Sequence, residues 1–248
     1  RQPNKLAQLE KQMNWYLDME TLPTTDADVI AEIAANIKPP ANYSKPETIA
    51  KWMEENKEQA VKEAVHKTGF SGLYGSIACI CYAFDGGEVF SVDCRDGEER
   101  MLEQLYAHVF SASGVDTHNG MVSMPVTFIG HNIIGFDLPF IKHRSIINQV
   151  KPPIQFRKAF DAKPWSAEVA DTMLMWSSDK EKRASMDKLC KAFGIQGKGD
   201  FDGSMVADTW PTDPQKVIDY CADDVRRTRD MFKRMTFDFG QMSFLKSA

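Results

Sequence analysis

The side chains best suited to chemistry are carboxylates in three separated stretches. They are Asp18 and Glu20 in "NWYLDMETL", Asp137 in "GHNIIGFDLPF", and Asp224, four residues after Tyr220, in "VIDYCADDVRRTRD". An Asp-x-Glu pair is weak evidence by itself, because the chain holds three. Asp96/Glu98 in "CRDGEER" and Asp179/Glu181 in "SSDKEKR" sit in polar stretches where charges are simply solvated. Only Asp18 and Glu20 close an apolar run. Residues two apart on a strand share a face, so these two carboxylates should converge, and their repulsion requires a cation. All-oxygen donors suit a hard divalent ion, Mg²⁺ or Mn²⁺.

Asp137 follows a strand and turn and opens a helix, where an N-cap role would account for it without catalysis. His131 reads as a packed or hydrogen-bonded residue, because no second His or Cys lies near it at metal-binding spacing. On a helix, Tyr220 and Asp224 share a face, while Asp223 turns about 100° away to the solvent side, where it can pair with Arg227 at the i, i+4 spacing.

These groups need a scaffold. "NWYLDMETL" (Asn14 to Leu22) is expected to be a first strand. Helices near Asp26 to Ile37 and Lys45 to Lys67, broken by Pro39 and Pro40, form an insertion-like module from Pro23 to about Gly72. "LYGSIACICYAF" and "EVFSVDC" read as a hairpin turning at Asp85, Gly86 and Gly87, whose glycines accept positive φ. A helix near Glu98 to Ser111, a buried strand "MPVTFIGHN", a helix from Asp137 and a strand Glu168 to Met173 follow. Short helices at Ser185 to Phe193 and Gly203 to Trp210 and a final helix from Asp213 to about Met235 complete the order. Strands as a meander and then alternating with helices imply a mixed sheet covered on both faces.

At 248 residues and 43% hydrophobic, the chain can bury a substantial core, and one α/β domain is expected. The five cysteines form no CxxC pair and read as reduced core thiols, which suggests a cytoplasmic protein. No apolar run reaches the ~18 to 20 residues of a membrane span, and "RQPNKLAQLEKQ" lacks the apolar core of a signal peptide. A net charge of −5 argues against coating nucleic acid by bulk charge, though a local basic rim stays possible.

Taken in order, "DME" (Asp18, Glu20), "HNIIGFD" (Asn132, Phe136, Asp137) and "YCADD" (Tyr220, Asp224) resemble the three motifs of DEDD-type 3′-5′ exonucleases. The tyrosine subtype fits, because the alternative has His five residues before its last Asp, and that position is Asp219 here. "LCKAFGIQGKGDFDG" with "VIDYCADDVRRTRDMF" is most similar to stand-alone exonucleases related to the proofreading domain of family-B DNA polymerases. The resemblance runs from Asn14 to Met235 and is weakest over Pro23 to Gly72. It implies an RNase H-like α/β fold, a mixed five-stranded sheet flanked by helices, as a single exonuclease domain over 1–248 with a helical insertion at about 23–72.

It also implies two divalent ions, Mg²⁺ or Mn²⁺. Asp18 would bridge them, Glu20 and Asp224 would complete the first ion's shell, and Asp137 would support the second. Tyr220 would orient the attacking water, since a phenol of pKa near ~10 is a poor base at neutral pH. Thr21, Leu22, Asn132 and Phe136 would contact the substrate. The implied activity is removal of 5′-mononucleotides from a free 3′ end, with single-stranded DNA favoured.

For substrate grip, "FRKAFDAKPW" (Phe156 to Trp165) interleaves cations with aromatics, although a surface loop with inward-packed aromatics fits equally. Lys142, His143 and Arg144, and Arg226, Arg227 and Arg229, could form a basic rim or be solvated helix faces. Two rivals stand beside the exonuclease reading. A catalytically inactive, exonuclease-like module could bind nucleic acid or protein, but it has no need of mutually repelling acids. A haloacid dehalogenase-type phosphohydrolase would call for Asp-x-Asp, where Met19 and Glu20 follow Asp18.

Overall fold

The computed structural model describes residues 12–117, 120–178 and 183–239, with only the backbone at 115–117 and 120–123. Asp179/Glu181 and the N-terminal stretch 1–11 lie outside the described residues. In chain order the elements are β1 (Met13–Leu22), α1 (Ala27–Asn36), α2 (Pro46–Lys67), β2 (Ser76–Phe84), β3 (Phe90–Asp93), α3 (Glu98–Ser113), β4 (Gly114–Thr117), β5 (Gly120–Ser123), β6 (Val126–Gly130), α4 (Asp137–Ile147), α5 (Ile154–Phe160), β7 (Val169–Asp171), α6 (Thr172–Trp176), α7 (Met186–Phe193), α8 (Val206–Thr209) and α9 (Pro214–Met235). They divide into two compact units, Thr21–Ser76 and the remainder.

The larger unit is built on a mixed five-stranded sheet in the order β3-β2-β1-β6-β7. β1 runs parallel to β6, from Met13 opposite Val126 to Tyr16 opposite Ile129, and β6 runs parallel to β7. β2 and β3 form the antiparallel hairpin. The Asp85 amide donates to the Asn14 carbonyl at 2.9 Å, so β2 ends where β1 begins and the two run antiparallel.

Alternation on β1 decides the layers. Trp15, Leu17 and Met19 point into the main core with Ile80, Tyr82, Leu102, Leu105, Phe128 and Phe156. Tyr16, Asp18 and Glu20 are therefore turned to the other face. There the Tyr16 ring meets Phe232 of α9 edge-on at 6.0 Å, and the Cys221 thiol of α9 donates to the Asp18 carbonyl. Period two on the strand thus presents the acids to the last helix. That helix starts at Pro214 with Asp213 as its cap, the Asp213 carboxylate accepting from the Lys216 amide at 3.1 Å.

The smaller unit contains α1 and α2. Asp26 caps α1 by accepting from the amides of Asp28 and Val29. Thr68, just beyond α2, accepts from the Thr24 amide at 2.8 Å and holds the two ends of the unit together. Gly75 has no room for a side chain, because a Cβ there would stand 2.8 Å from the Thr68 carbonyl.

Several sequence expectations are corrected. The hairpin turn places the positive φ on Asp85, not on its glycines. The Asp85 carboxylate accepts from the Asn14 amide of the neighbouring strand, and Asp tolerates the left-handed region better than most residues. A β4-β5 hairpin, unforeseen in the sequence, precedes β6. Glu168 to Met173 contributes only a three-residue strand, because the Asp171 carboxylate accepts from the amides of Met173 and Leu174 and starts α6.

The segment Phe156 to Trp165 begins inside α5 and leaves it as an exposed turn, with Arg157, Lys158 and Lys163 at the surface; Phe156 is fully buried against Phe128 and Tyr106, and of the aromatics only Trp165 projects, at 84% exposure. It enters β7 at the strand's N-terminal end, whereas Asp18 and Glu20 lie toward the C-terminal end of the parallel β1. Half of the candidate basic rim is taken up inside the fold, while Lys142, His143 and Arg226 keep solvent exposure. Arg227 and Arg229 are buried, Arg229 donating to the Gly87 carbonyl at 2.7 Å, and Arg144 is taken up by Glu98 at 2.6 Å.

Phe156→Ala should therefore cost about 3–5 kcal/mol of folding stability, as emptying a close-packed aromatic site does, while Trp165→Ala leaves the denaturant midpoint unchanged. Equal effects in urea unfolding would contradict this packing.

Candidate active site

The turn after β6 delivers the second acid. Asn132 takes a left-handed conformation, φ 68°, and its amide donates to Asp171 Oδ1 at 3.0 Å. The Ile134 amide donates to Asp171 Oδ2 at 3.2 Å. Gly135 leaves room for the Asn132 side chain, whose oxygen a Cβ there would approach within 2.5 Å and displace. The stretch "HNIIGFD" is thus a folded turn stapled by one aspartate. Phe136, not Asp137, occupies the N-cap, and Asp137 is the first residue of α4. The Phe136 ring lies 5.6 Å from that of Phe140.

α9 delivers the third group. Oxygens of Asp18, Glu20 and Asp224 all lie within 4.8 Å of one another. Asp137 belongs to no such set among the described residues, although its charge acts on both Asp18 and Glu20. Thr21 and Leu22 are the last residues of β1 and belong to the smaller unit. His131 accepts from or donates to the Thr172 hydroxyl at 3.0 Å, as a hydrogen-bonded structural residue would.

Two cations organise Asp224: Lys198, which sequence reasoning misses, and Arg227, which it assigns to Asp223. Lys198 Nζ donates at 2.5 Å both to Asp224 Oδ2 and to the Tyr220 hydroxyl oxygen, and lies 4.7 Å from the centre of the Tyr220 ring. Arg227 donates to Asp224 Oδ1 at 2.7 Å. Its remaining donors reach the carbonyls of Gln196 and Gly197 at 3.2 and 3.3 Å, gripping the loop that presents Lys198. That loop follows the left-handed Gly194 at the end of α7.

The expected Asp223–Arg227 pair is only a long contact of 3.9 Å, and Asp223 is bound by Arg226 at 2.7 Å instead. The i, i+3 partner of Arg227 is buried with it, and burial decided the competition. The i, i+3 spacing of Asp224 and Arg227 was visible in the sequence. Nothing local signals Lys198, whose partners are 22 and 26 residues away.

The electrostatics follow from this crowding. Asp18 and Glu20 retain some access to solvent, yet dense surroundings push both carboxyls well above the usual range. For Asp18, burial is the main cause, followed by the charges of Asp224, Asp137 and Glu20. Burial raises Asp137 to about 7, assisted by Asp171 and opposed by bonds from its own amide and that of Met19. Burial, and then Asp224, raises the Tyr220 phenol, so it stays protonated at neutral pH. Lys198 is raised as well, because Asp224 and Tyr220 outweigh the effect of its burial. Asp18 and Glu20, whose carboxyls resist ionising, converge with Asp224 into a donor set suited to a hard divalent cation, which would supply positive charge there.

Residues 75–246 match a family model described as "Predicted 3'-5' exonuclease related to the exonuclease domain of PolB". The match begins after Asp18 and Glu20, so their meeting with Asp224 is information from the fold. No curated protein matches the chain. Among solved structures, the family B DNA polymerase of the hyperthermophilic archaeon Pyrobaculum calidifontis is similar, with a TM-score of 0.54 and 13% identity over 91% of this chain. The chain spans 24% of that polymerase, and at this identity the likeness is one of fold.

A carboxyl with a raised pKa binds its proton more tightly when folded than when unfolded. Stability must then fall as pH rises from the ordinary carboxylate range near ~4 through about 7. Without divalent ions, Asp137→Asn should melt above the parent at about pH 8, and the gain should vanish near pH ~4, where the parent carboxyl is also neutral. A gain independent of pH, measured by thermal unfolding in EDTA, would contradict the raised pKa.

Proposed function

The chain belongs to the family of predicted 3'-5' exonucleases related to the exonuclease domain of PolB, and on that premise we propose that it removes 5′-mononucleotides from the 3′ end of single-stranded DNA with the help of two divalent metal ions. The observation that carries the reading is the convergence of Asp18, Glu20 and Asp224 within 4.8 Å across two elements 200 residues apart in the chain. Such a cluster of repelling acids calls for a cation and suits metal-assisted chemistry better than direct binding of nucleic acid or protein. The segment Pro23 to Gly72 is read as an insertion in this single exonuclease domain.

In this reading Asp18, Glu20, Asp224 and Asp137 are the residues that would hold the ions, each Mg²⁺ or Mn²⁺. Bound there, the ions supply the Lewis acidity that phosphodiester hydrolysis demands. The chain's own residues do the positioning. Lys198 can only donate, so the Tyr220 oxygen accepts from it and the phenolic proton is left to point elsewhere. With its pKa raised, Tyr220 acts as a hydrogen-bond donor that orients the attacking water, not as its base. Arg227 and Lys198 fix the rotamer of Asp224 from opposite sides, one on each carboxylate oxygen. Thr21, Leu22, Asn132 and Phe136 are the proposed contacts to the terminal nucleotide.

End-labelled single-stranded DNA incubated with the protein and Mg²⁺ or Mn²⁺ should shorten from its 3′ end, and EDTA should stop it. Asp18→Ala and Asp224→Asn should reduce cleavage to background, Asp223→Asn should keep most of it, and Lys198→Met should lose about 10–100-fold. Cleavage that survives Asp18→Ala would refute the assignment. An inert parent that still binds the DNA would favour the inactive-module alternative.

A further inference from the structure

The face of the sheet that carries Asp18 and Glu20 carries cysteines one strand away. Cys79 and Cys81 are two apart on β2 and share a side, and Cys221, next to Tyr220 on α9, meets them there. All three are 0% exposed and none is in a disulfide. Their three sulfurs lie within 4.8 Å of one another. The Cys221 sulfur is 3.4 Å from the carbonyl oxygen of Asp18, so the sulfur cluster lies against the backbone of the acid site.

We infer that Cys79, Cys81 and Cys221 form a second cation site, made of sulfur and selective for thiophilic d¹⁰ ions such as Zn²⁺ or Cu⁺. Three sulfurs bonded to one ion at ~2.3 Å stand about 4 Å apart, and the existing cluster, with its sulfurs within 4.8 Å of one another, is already near that spacing. Thiolates select Cu(I) and Zn²⁺, and carboxylates select Mg²⁺ or Mn²⁺, so the neighbouring sites sort cations by softness. Uptake exchanges the proton of each coordinating thiol for a sulfur–metal bond and releases that proton to solvent. The competing account is three neutral core thiols, two of them donating to the carbonyls of Asp18 and Ile218. Convergence from two separate elements favours the site, because filling space needs no sulfur at all three corners. Since Cys221 and Asp224 share α9, drawing the sulfurs together also acts on the helix that presents Asp224.

The test uses Cd²⁺ as the probe, added to the reduced protein in excess Mg²⁺ and followed by desalting. Metal content and the ultraviolet thiolate-to-cadmium band should show one Cd²⁺ per chain, equally in Asp18→Asn and Asp224→Asn. Cys79→Ser, Cys81→Ser and Cys221→Ser should each lose the band and most of the retained metal while keeping the parent's circular dichroism. Should a cysteine variant misfold, alkylation of the unsubstituted protein in mild denaturant decides the matter. Cd²⁺ must then protect Cys79, Cys81 and Cys221 and leave Cys94 and Cys190 reactive. No retained Cd²⁺, retention indifferent to the cysteines, retention lost with the carboxylates, or unselective protection would each overturn the site. None of these readouts depends on nuclease activity.

Discussion

Three carboxylates within 4.8 Å of one another, at a seam between a strand and a helix, set the terms for the rest of the molecule. Burial pushes Asp18 and Glu20 toward the neutral acid, and the like charges around them add to the push. A fold meets such a constraint with fixed cations or leaves it to be met by ions from solution. This one divides the task. Asp224 is given Arg227 and Lys198, one on each oxygen, while Asp18 and Glu20 have no comparable close partner among the described residues.

The supporting structure can be read as the means of holding that arrangement. β1 is covered on both sides, with an aromatic and aliphatic face buried in the main core and a partly exposed acidic face toward α9. α9 is anchored by its buried face, where Val217, Cys221, Val225 and Met231 pack while the buried Arg227 clamps the Gln196–Gly197 loop. A buried arginine is expensive unless its donors are satisfied, and here a carboxylate and two carbonyls accept from it. Asp171 does comparable work at the other acid, capping α6 while fixing the turn that leads to Asp137. Asp224 and Asp137 are therefore positioned by charged groups that are structural in their own right.

The same seam explains why oxygen and sulfur donors are neighbours. Period two on β2 aligns Cys79 and Cys81, and α9 carries Cys221 between Val217 and Val225 on its buried side. The apolar packing that anchors the helix thus continues directly into the polar site, with the Asp18 backbone as the boundary.

Much of this was legible in the sequence, because strand and helix periodicity are local. Asp18 and Glu20 had to share a face, Tyr220 and Asp224 had to share another, and the order of elements already implied a mixed sheet. Three acidic stretches in order also carried the family resemblance. Tertiary structure alone decided which charges meet. Lys198 reaches Asp224 because the α7 turn folds its loop onto α9, and Arg227 turns inward to Asp224 instead of outward to Asp223 because its side of the helix is buried. It also removed Phe156 from the candidate surface and put Cys79, Cys81 and Cys221 together. Local periodicity assigns a residue to a face, but only long-range packing determines what that face is pressed against.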